Sequence, residues 1–453
     1  MITGSGFGLG RGLLLAAVVG AFQIAALAQV TISDDLMFLP SAGATDGGEF
    51  LTHGTSVAVD AAGGVHVVYL ATAGDRPVFY AYCATDCARD SNWRYTTVIG
   101  QAYHANLALD SKGRPRILLV TFASEPPDSL YQYALCDGDC TNRGNWKITP
   151  VVRNRDVLAG DSRSFALDRQ DRPRFLYKSQ DPKPYDIARV GTFYVFCDTA
   201  CASAENWFQV KLGDDILNNP SLALTAAGEP RIAFDVFISP EKGPPVWFLG
   251  YLECDTYCKS GSLMLLLERG AFATYTLQLD SADHPRLAFF SGNRVEGNPL
   301  QPGQLYYFRC NRACANQDQN EWQVSDLGLS EGVGQYVDLA LDRQNQPHLA
   351  YAISLAGLGY SRCTANCDLG NATWEHRRFP LAEELNKTLF LDVNRCSFGS
   401  WMAGEFPSLA LDAAGNPRMG VDVKHGSMGV DDRNLPCRAI TEIRRAAITV
   451  FNH

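Results

Sequence analysis

The chain has 453 residues, 46% hydrophobic, 11% aromatic and 19% charged, with 39 basic against 49 acidic side chains and a formal net charge of −10. That apolar share supports a large core and excludes a disordered or fibrous chain. An acidic balance without any basic run excludes a broad nucleic-acid-binding face, which needs clustered Lys and Arg. The 40 Gly and 22 Pro favour a turn-rich, mostly β chain.

Residues 12–28 read GLLLAAVVGAFQIAALA, preceded by Arg11 and ending in Ala26-Leu27-Ala28. A charged start, an apolar middle and a small-x-small end describe a signal peptide cut after Ala28. The run is short for a membrane span, and no later stretch is apolar enough to cross a bilayer. The expectation is a leader at 1–28 and one domain at 29–453, secreted or periplasmic, where thiols pair.

From there one phrase recurs: an apolar-x-apolar-Asp run, a turn, then Pro-Arg and a second apolar run. It reads NLALDSKGRPRILLV at 106–120, TLQLDSADHPRLAFF at 276–290 and SLALDAAGNPRMGVD at 408–422, among seven copies. The turn Asp residues are Asp60, Asp110, Asp168, Asp280, Asp342 and Asp412, with Thr225 in the fourth copy. Six residues on stands Arg116, Arg174, Arg231, Arg286 or Arg418, and His66 or His348 in two copies. Asp closing a strand before Gly or Asn is turn chemistry, and Pro opening the next strand loses no ladder donor. A ring of calcium ligands or catalytic acids would be broken by Thr225. The Asp and the Arg or His are therefore expected to be structural.

A second phrase follows in six copies: an aromatic-rich strand, Cys-x-x-x-Cys, and usually a Trp opening another strand. The pairs are Cys83–Cys87, Cys136–Cys140, Cys197–Cys201, Cys254–Cys258, Cys310–Cys314 and Cys363–Cys367. Each is expected to be a disulfide closing a strand turn, because no four thiolates converge on a metal. Cys396 and Cys437 remain and pair by arithmetic. Trp93, Trp146, Trp207, Trp322 and Trp374 follow the pairs; the fourth copy has none. They are expected to cover the outer edge of each unit.

Each copy holds four strand signals, at about 61 residues per copy, the size of a propeller blade. The first strand is apolar on both faces, as an innermost blade strand must be. The reading is all-β: a seven-bladed β-propeller of four antiparallel strands per blade, with disulfide-stapled blades. A sandwich or open array is the alternative. Residues following Ala28 (QVTISDDLMFL) are expected to close the ring against the last blade.

The repeat resembles that of secreted bacterial propeller proteins in the sialidase-like, BNR-repeat-like superfamily, whose units also read LALDxxGxPrIaY. The resemblance covers residues 56 to about 440 and rests on scaffold motifs. The Asp-box S-x-D-x-G-x-T-W is absent, and the family's arginine triad and Tyr/Glu pair find no particular positions here. The resemblance implies a carbohydrate-active hydrolase as the rival to a binding role.

One face of such a propeller carries the near-constant Asp turns and Cys loops. The other carries the two–three loops and inter-blade connections, which differ widely (TFASEPPDSLY, FISPEKGPPVW). Diversity on a constant scaffold is where specificity sits. Residues preceding each first strand are expected to ring the channel mouth there: His53, Tyr103, His104, Asp161, Arg163, Asn218, Asn219, Tyr275, Gln335, Tyr336, Glu405 and Phe406. Aromatics, amides, His and carboxylates suit a glycan or a protein/peptide ligand. There is no G-x-S-x-G, no H-E-x-x-H and no phosphate-cradling Gly loop. A monomeric binding protein with no catalytic residue, cofactor or metal is the expectation; a sialidase-like glycoside hydrolase is the alternative.

Overall fold

The computed structural model describes residues 36–39, 55–70, 77–100, 102–122, 129–154, 163–179, 191–213, 218–238, 246–269, 274–292, 300, 303–329, 333–354, 356–369, 371–388, 398–430, 434 and 436–450. These form seven four-stranded antiparallel sheets. The first strands are Ser56–Val59, Ala102–Leu109, Phe165–Leu167, Asn218–Leu224, Thr274–Leu279, Val333–Leu341 and Phe398–Leu411. Each packs on the next and the last on the first, so the sheets are the blades of a closed seven-bladed propeller. Closure comes from Leu36–Phe38, which pairs antiparallel with the stretch from Ala447 to Thr449 as the outermost strand of blade 7. The leader at 1–28 and Cys396 lie outside the described residues, as does the side chain of Cys437.

The core is divided among the seven junctions between blades, one apolar cluster in each. A strand flanked on both faces must be apolar on both faces, and Leu118/Leu119 or Ala288/Phe289 meet that demand with successive buried residues.

The repeated Asp and Arg form one device. Asp110 Oδ1 accepts the amides of Lys112 (3.0 Å) and Arg114 (2.9 Å), while Oδ2 accepts Arg116 Nη2 at 2.6 Å. Asp168, Asp280 and Asp412 repeat the arrangement. The residue three past the Asp has positive φ in every copy (Gly63, Gly113, Asp171, Gly228, Asp283, Asn345, Gly415), as turn chemistry requires. Arg116 Nη1 goes on to the carbonyl of Cys136 at 2.8 Å, and Arg174, Arg231 and Arg286 do the same to Cys197, Cys254 and Cys310. The arginine thus lashes the first turn to the disulfide loop. Histidine is too short for that reach. His66 instead lies 3.2 Å from Asp60 Oδ2 and 2.7 Å from the Tyr80 hydroxyl, and His348 lies 2.6 Å from that of Tyr360.

All six Cys-x-x-x-Cys pairs are disulfides. The tryptophans correct the sequence expectation: they sit between blades, not over an outer edge. In four of the five the indole N–H finds the second cysteine's carbonyl, as in Trp146 to Cys140 at 2.9 Å. The ring then meets, edge on, a buried tyrosine of the preceding blade: Tyr80–Trp146, Tyr133–Trp207 and Tyr251–Trp322, each at 5.3 Å. That tyrosine stands three residues before the first cysteine in every stapled blade.

Blade 7 differs. Its strands Phe398–Leu411, Pro417–Val430 and Pro436–Val450 run 14, 14 and 15 residues. Counted from the shared Asp turn, the first starts five residues farther out than Val333–Leu341, which is roughly 16 Å of extra strand on the variable face. The helix Leu381–Thr388 buries Leu381 and Leu385 in the blade 6/7 core, and Asn386 Oδ1 accepts the Trp401 amide at 2.9 Å.

Candidate functional site

The residue that opens each repeat phrase faces the axis of the ring: Ser56, Asn106, Ser164, Ser221, Thr276, Asp338 and Ser408. None is more than 5% exposed. Several cap the next inner strand. Ser56 Oγ accepts Leu107 N at 3.0 Å, Ser221 Oγ accepts Leu277 N at 2.9 Å, and Ser408 Oγ accepts Val57 N at 2.9 Å, which carries the chain of bonds across the closure. Buried strand amides that cannot reach water need such acceptors.

Asp338 is the one charged member. Its Oδ2 accepts Leu409 N of blade 7 at 2.7 Å, its Oδ1 accepts its neighbour Leu339 N at 2.9 Å, and Thr276 of blade 5 donates from 3.4 Å. Arg163 of blade 3 reaches the same carboxylate through Nη2. Blades 3 and 6 stand on opposite sides of a sevenfold ring, so this ion pair crosses the channel and ties four blades through one carboxylate.

Above this ring lies the mouth. Tyr336, Phe406 and Asn219 each stand two residues before a ring residue, with φ of 54°, 48° and 48°. Strand pairing slips at each of these places. Bulky side chains rarely adopt this backbone, and a bulge re-aims them. Gly334 and Gly404, with φ of +119° and +105°, precede the two aromatics; a Cβ at Gly404 would meet the Gly357 carbonyl oxygen at 1.9 Å. The phrase Gly-Gln-Tyr or Gly-Glu-Phe is thus the local signature of an aromatic bulge. The Tyr336 and Phe406 rings come within 4.4 Å at 50°. Burial, and next the Glu405 carboxylate, raise the Tyr336 hydroxyl above its ordinary pKa. Glu405 Oε2 accepts Lys424 Nζ at 2.8 Å, both largely buried. Tyr275 donates to the Asn219 carbonyl at 2.7 Å, and Asn219 to Asp235 Oδ2 at 3.2 Å.

Of the residues singled out from sequence, Tyr336, Glu405 and Phe406 come together on blades 6 and 7. Arg163 is committed to Asp338. Tyr103 packs against the blade 2/3 core, and His104 is 2% exposed, beneath the rim rather than on it. His53 and Asp161 lie outside the described residues, as does the side chain of Asn218. Sequence reading missed the polar ring, Asp338 and Lys424. The first residue of each repeat phrase was a signal for the ring; nothing local announced the pairs. Among the described residues no three His, Cys, Asp or Glu side chains group closely enough to hold a metal, and no helix is long and apolar enough to cross a membrane.

No protein family profile matches the chain, and no curated protein matches its sequence. Solved structures align with much of the chain at low identity. An α-L-arabinofuranosidase, Arb93A of Fusarium graminearum, bound to an iminosugar inhibitor is 9% identical at a TM-score of 0.45, over 78% of this chain and 98% of that one. The NanB sialidase of Streptococcus pneumoniae is 12% identical at 0.41, over 91% and 71%. A fungal alcohol oxidase of the AA5 family in complex with copper is 12% identical at 0.47, over 90% and 76%. The likeness is one of fold.

Proposed function

We propose that the chain is a secreted or periplasmic binding protein that takes a glycan or a protein/peptide ligand on its variable face, over the channel mouth. The observation that carries this reading is the pair of bulges presenting Tyr336 and Phe406 on backbone such residues rarely adopt, since strained backbone is kept where function uses it. Tyr275 and Asn219 add polar groups, and the long strands of blade 7 wall one side. Binding is favoured over glycoside hydrolysis because hydrolysis needs an acid and a base free to flank the bond. Of the carboxylates described at the site, Asp338 in the ring below and Glu405 at the mouth are held by Arg163 and Lys424, and Asp235 accepts Asn219.

The leader at 1–28, one domain at 29–453, a Cys396–Cys437 bridge and a monomeric state belong to the same reading, as does kinship with the secreted bacterial sialidase-like propellers. N-terminal sequencing of the exported protein, expected to begin at Gln29, and thiol titration test the first and third. For the site, the purified protein is screened on glycan and peptide arrays and against fluorogenic glycosides. Array ligands lost when Tyr336 and Phe406 are replaced together by Ala, with the melting temperature retained, support the reading. Turnover of a glycoside, or binding indifferent to those changes, overturns it.

A further inference from the structure

Every tryptophan that follows a Cys pair closes a groove between neighbouring blades, and blade 4 has none. Strand register puts Gly261 opposite Cys254, where Trp93, Trp146, Trp207 and Trp374 stand opposite Cys83, Cys136, Cys197 and Cys363. A side chain there would strike the Glu253 carbonyl oxygen at 2.7 Å. Tyr257 of the Cys loop fills part of the groove: its ring lies 4.9 Å from Phe196 and its hydroxyl donates to Asp198 Oδ2 at 3.1 Å.

The lips stay open. Phe208 is 58% exposed and Leu263 53%. They pair opposite Phe196 and Leu252, which both belong to the blade 3/4 core, so both lips face the same groove. In other blades the position of Phe208 holds Arg94, Lys147, Gln323 or Glu375. The outer strand of blade 4, Gly261–Arg269, reads GSLMLLLER with no charge before Glu268. Other outer edges are guarded in the usual ways. Blade 2 carries Lys147, Pro150 and Arg153; blade 6 carries Glu375, Arg377 and Arg378; those of blades 5 and 7 are four and three residues long.

We propose that this edge and groove dock an extended segment of a partner polypeptide, which adds a fifth strand to blade 4 and lays an aromatic side chain between Phe208 and Leu263. A bare strand edge is satisfied by another strand. The side chain it should bring is indicated by the five junctions where a tryptophan follows the Cys pair. A second copy meeting this edge would offer the same strand, Gly261–Arg269, which has no aromatic residue. The surface lies on the rim of the ring, apart from the channel mouth.

The probe is a fluorescein-labelled nonapeptide alternating Trp and Thr, titrated into the full chain by anisotropy. Its partner is the same peptide N-methylated at alternate residues, which blocks one backbone edge. The unmethylated peptide is expected to bind and to slow amide exchange across residues 261–269, and the methylated one to fail. Phe208→Lys and Leu263→Lys, both exposed and expected to melt like the parent, should each weaken binding at least tenfold. Leu369→Lys, an equally exposed apolar site on blade 6, should leave it unchanged. No binding, binding that survives either lysine, or a concentration-dependent dimer abolished by Phe208→Lys would each overturn the proposal.

Discussion

Arg163→Met removes the only described cation from Asp338, a carboxylate 2% exposed at the axis of the ring. Leaving a buried charge without its partner costs about 3–5 kcal/mol. Arg163 keeps a quarter of its side-chain surface, and three hydrogen bonds still reach the carboxylate, so solvent screening lowers the expectation to about 2–3 kcal/mol. For a domain of this size, unfolding entropy near 0.8 kcal/mol per kelvin turns this into a fall in Tm of about 3 °C. Asp338→Asn should cost less, because the amide oxygen can still accept Leu409 N while Arg163 can swing into solvent. The double variant should be more stable than the sum of the single losses implies, with a coupling of about 1–2 kcal/mol. Urea unfolding of the four proteins with disulfides intact measures the cycle. Additive losses, or an Arg163→Met loss below about 0.5 kcal/mol, would refute the cross-channel clasp.

Acidification should destabilise the fold in two windows. Burial holds His66 below its usual pKa, against the pull of Asp60, and burial lowers His376 as well. Their contribution is intact above about 6.5 and is lost as pH falls toward the folded values, since the unfolded chain protonates first. Asp110 and Asp412 sit below the carboxylate range because hydrogen bonds and arginine outweigh burial. Their contribution is intact above about 4 and is lost below it. Urea midpoints measured across pH should lose the first window when His66 and His376 are both replaced by Gln; a drop that persists would remove the assignment. Replacing Cys136 and Cys140 together by Ala should cost about 2 kcal/mol, the loop-entropy value for a five-residue closure, checked by the unfolding midpoint. Ser408→Ala leaves Val57 N unmet at the closure and should cost about 1–3 kcal/mol, whereas exposed Ser260→Ala should cost little. Equal costs for the two would remove the capping role of the ring.

The scaffold was legible because its causes repeat. Asp at a turn, Pro beginning the next strand and Cys at fixed spacing act within about 30 residues, and seven copies raise them above chance. The polar ring went unread although it opens each phrase, because one Ser or Thr beside an apolar strand carries no sign that it faces an axis. Arg163 and Asp338 are 175 residues apart, and no local pattern links them. The tryptophans were placed wrongly for a related reason: their partners are tyrosines of another blade, seen only once the blades are stacked. At the mouth, repeat alignment located Tyr336, Glu405 and Phe406 but not their aim, which the bulges set. It also nominated His104, which its strand buries.

Every described disulfide closes a loop inside a single blade, and among the described residues the ring is shut by non-covalent contacts: Leu36–Phe38 lying on Ala447–Thr449, the apolar cluster between blades 7 and 1, and Ser408 Oγ accepting Val57 N. A reducing agent would therefore loosen each link without parting the circle. Tension applied between that N-terminal strand and the rest of blade 7 would part the circle at this non-covalent seam, leaving six blades whole, so covalent toughness and hoop strength reside in different bonds.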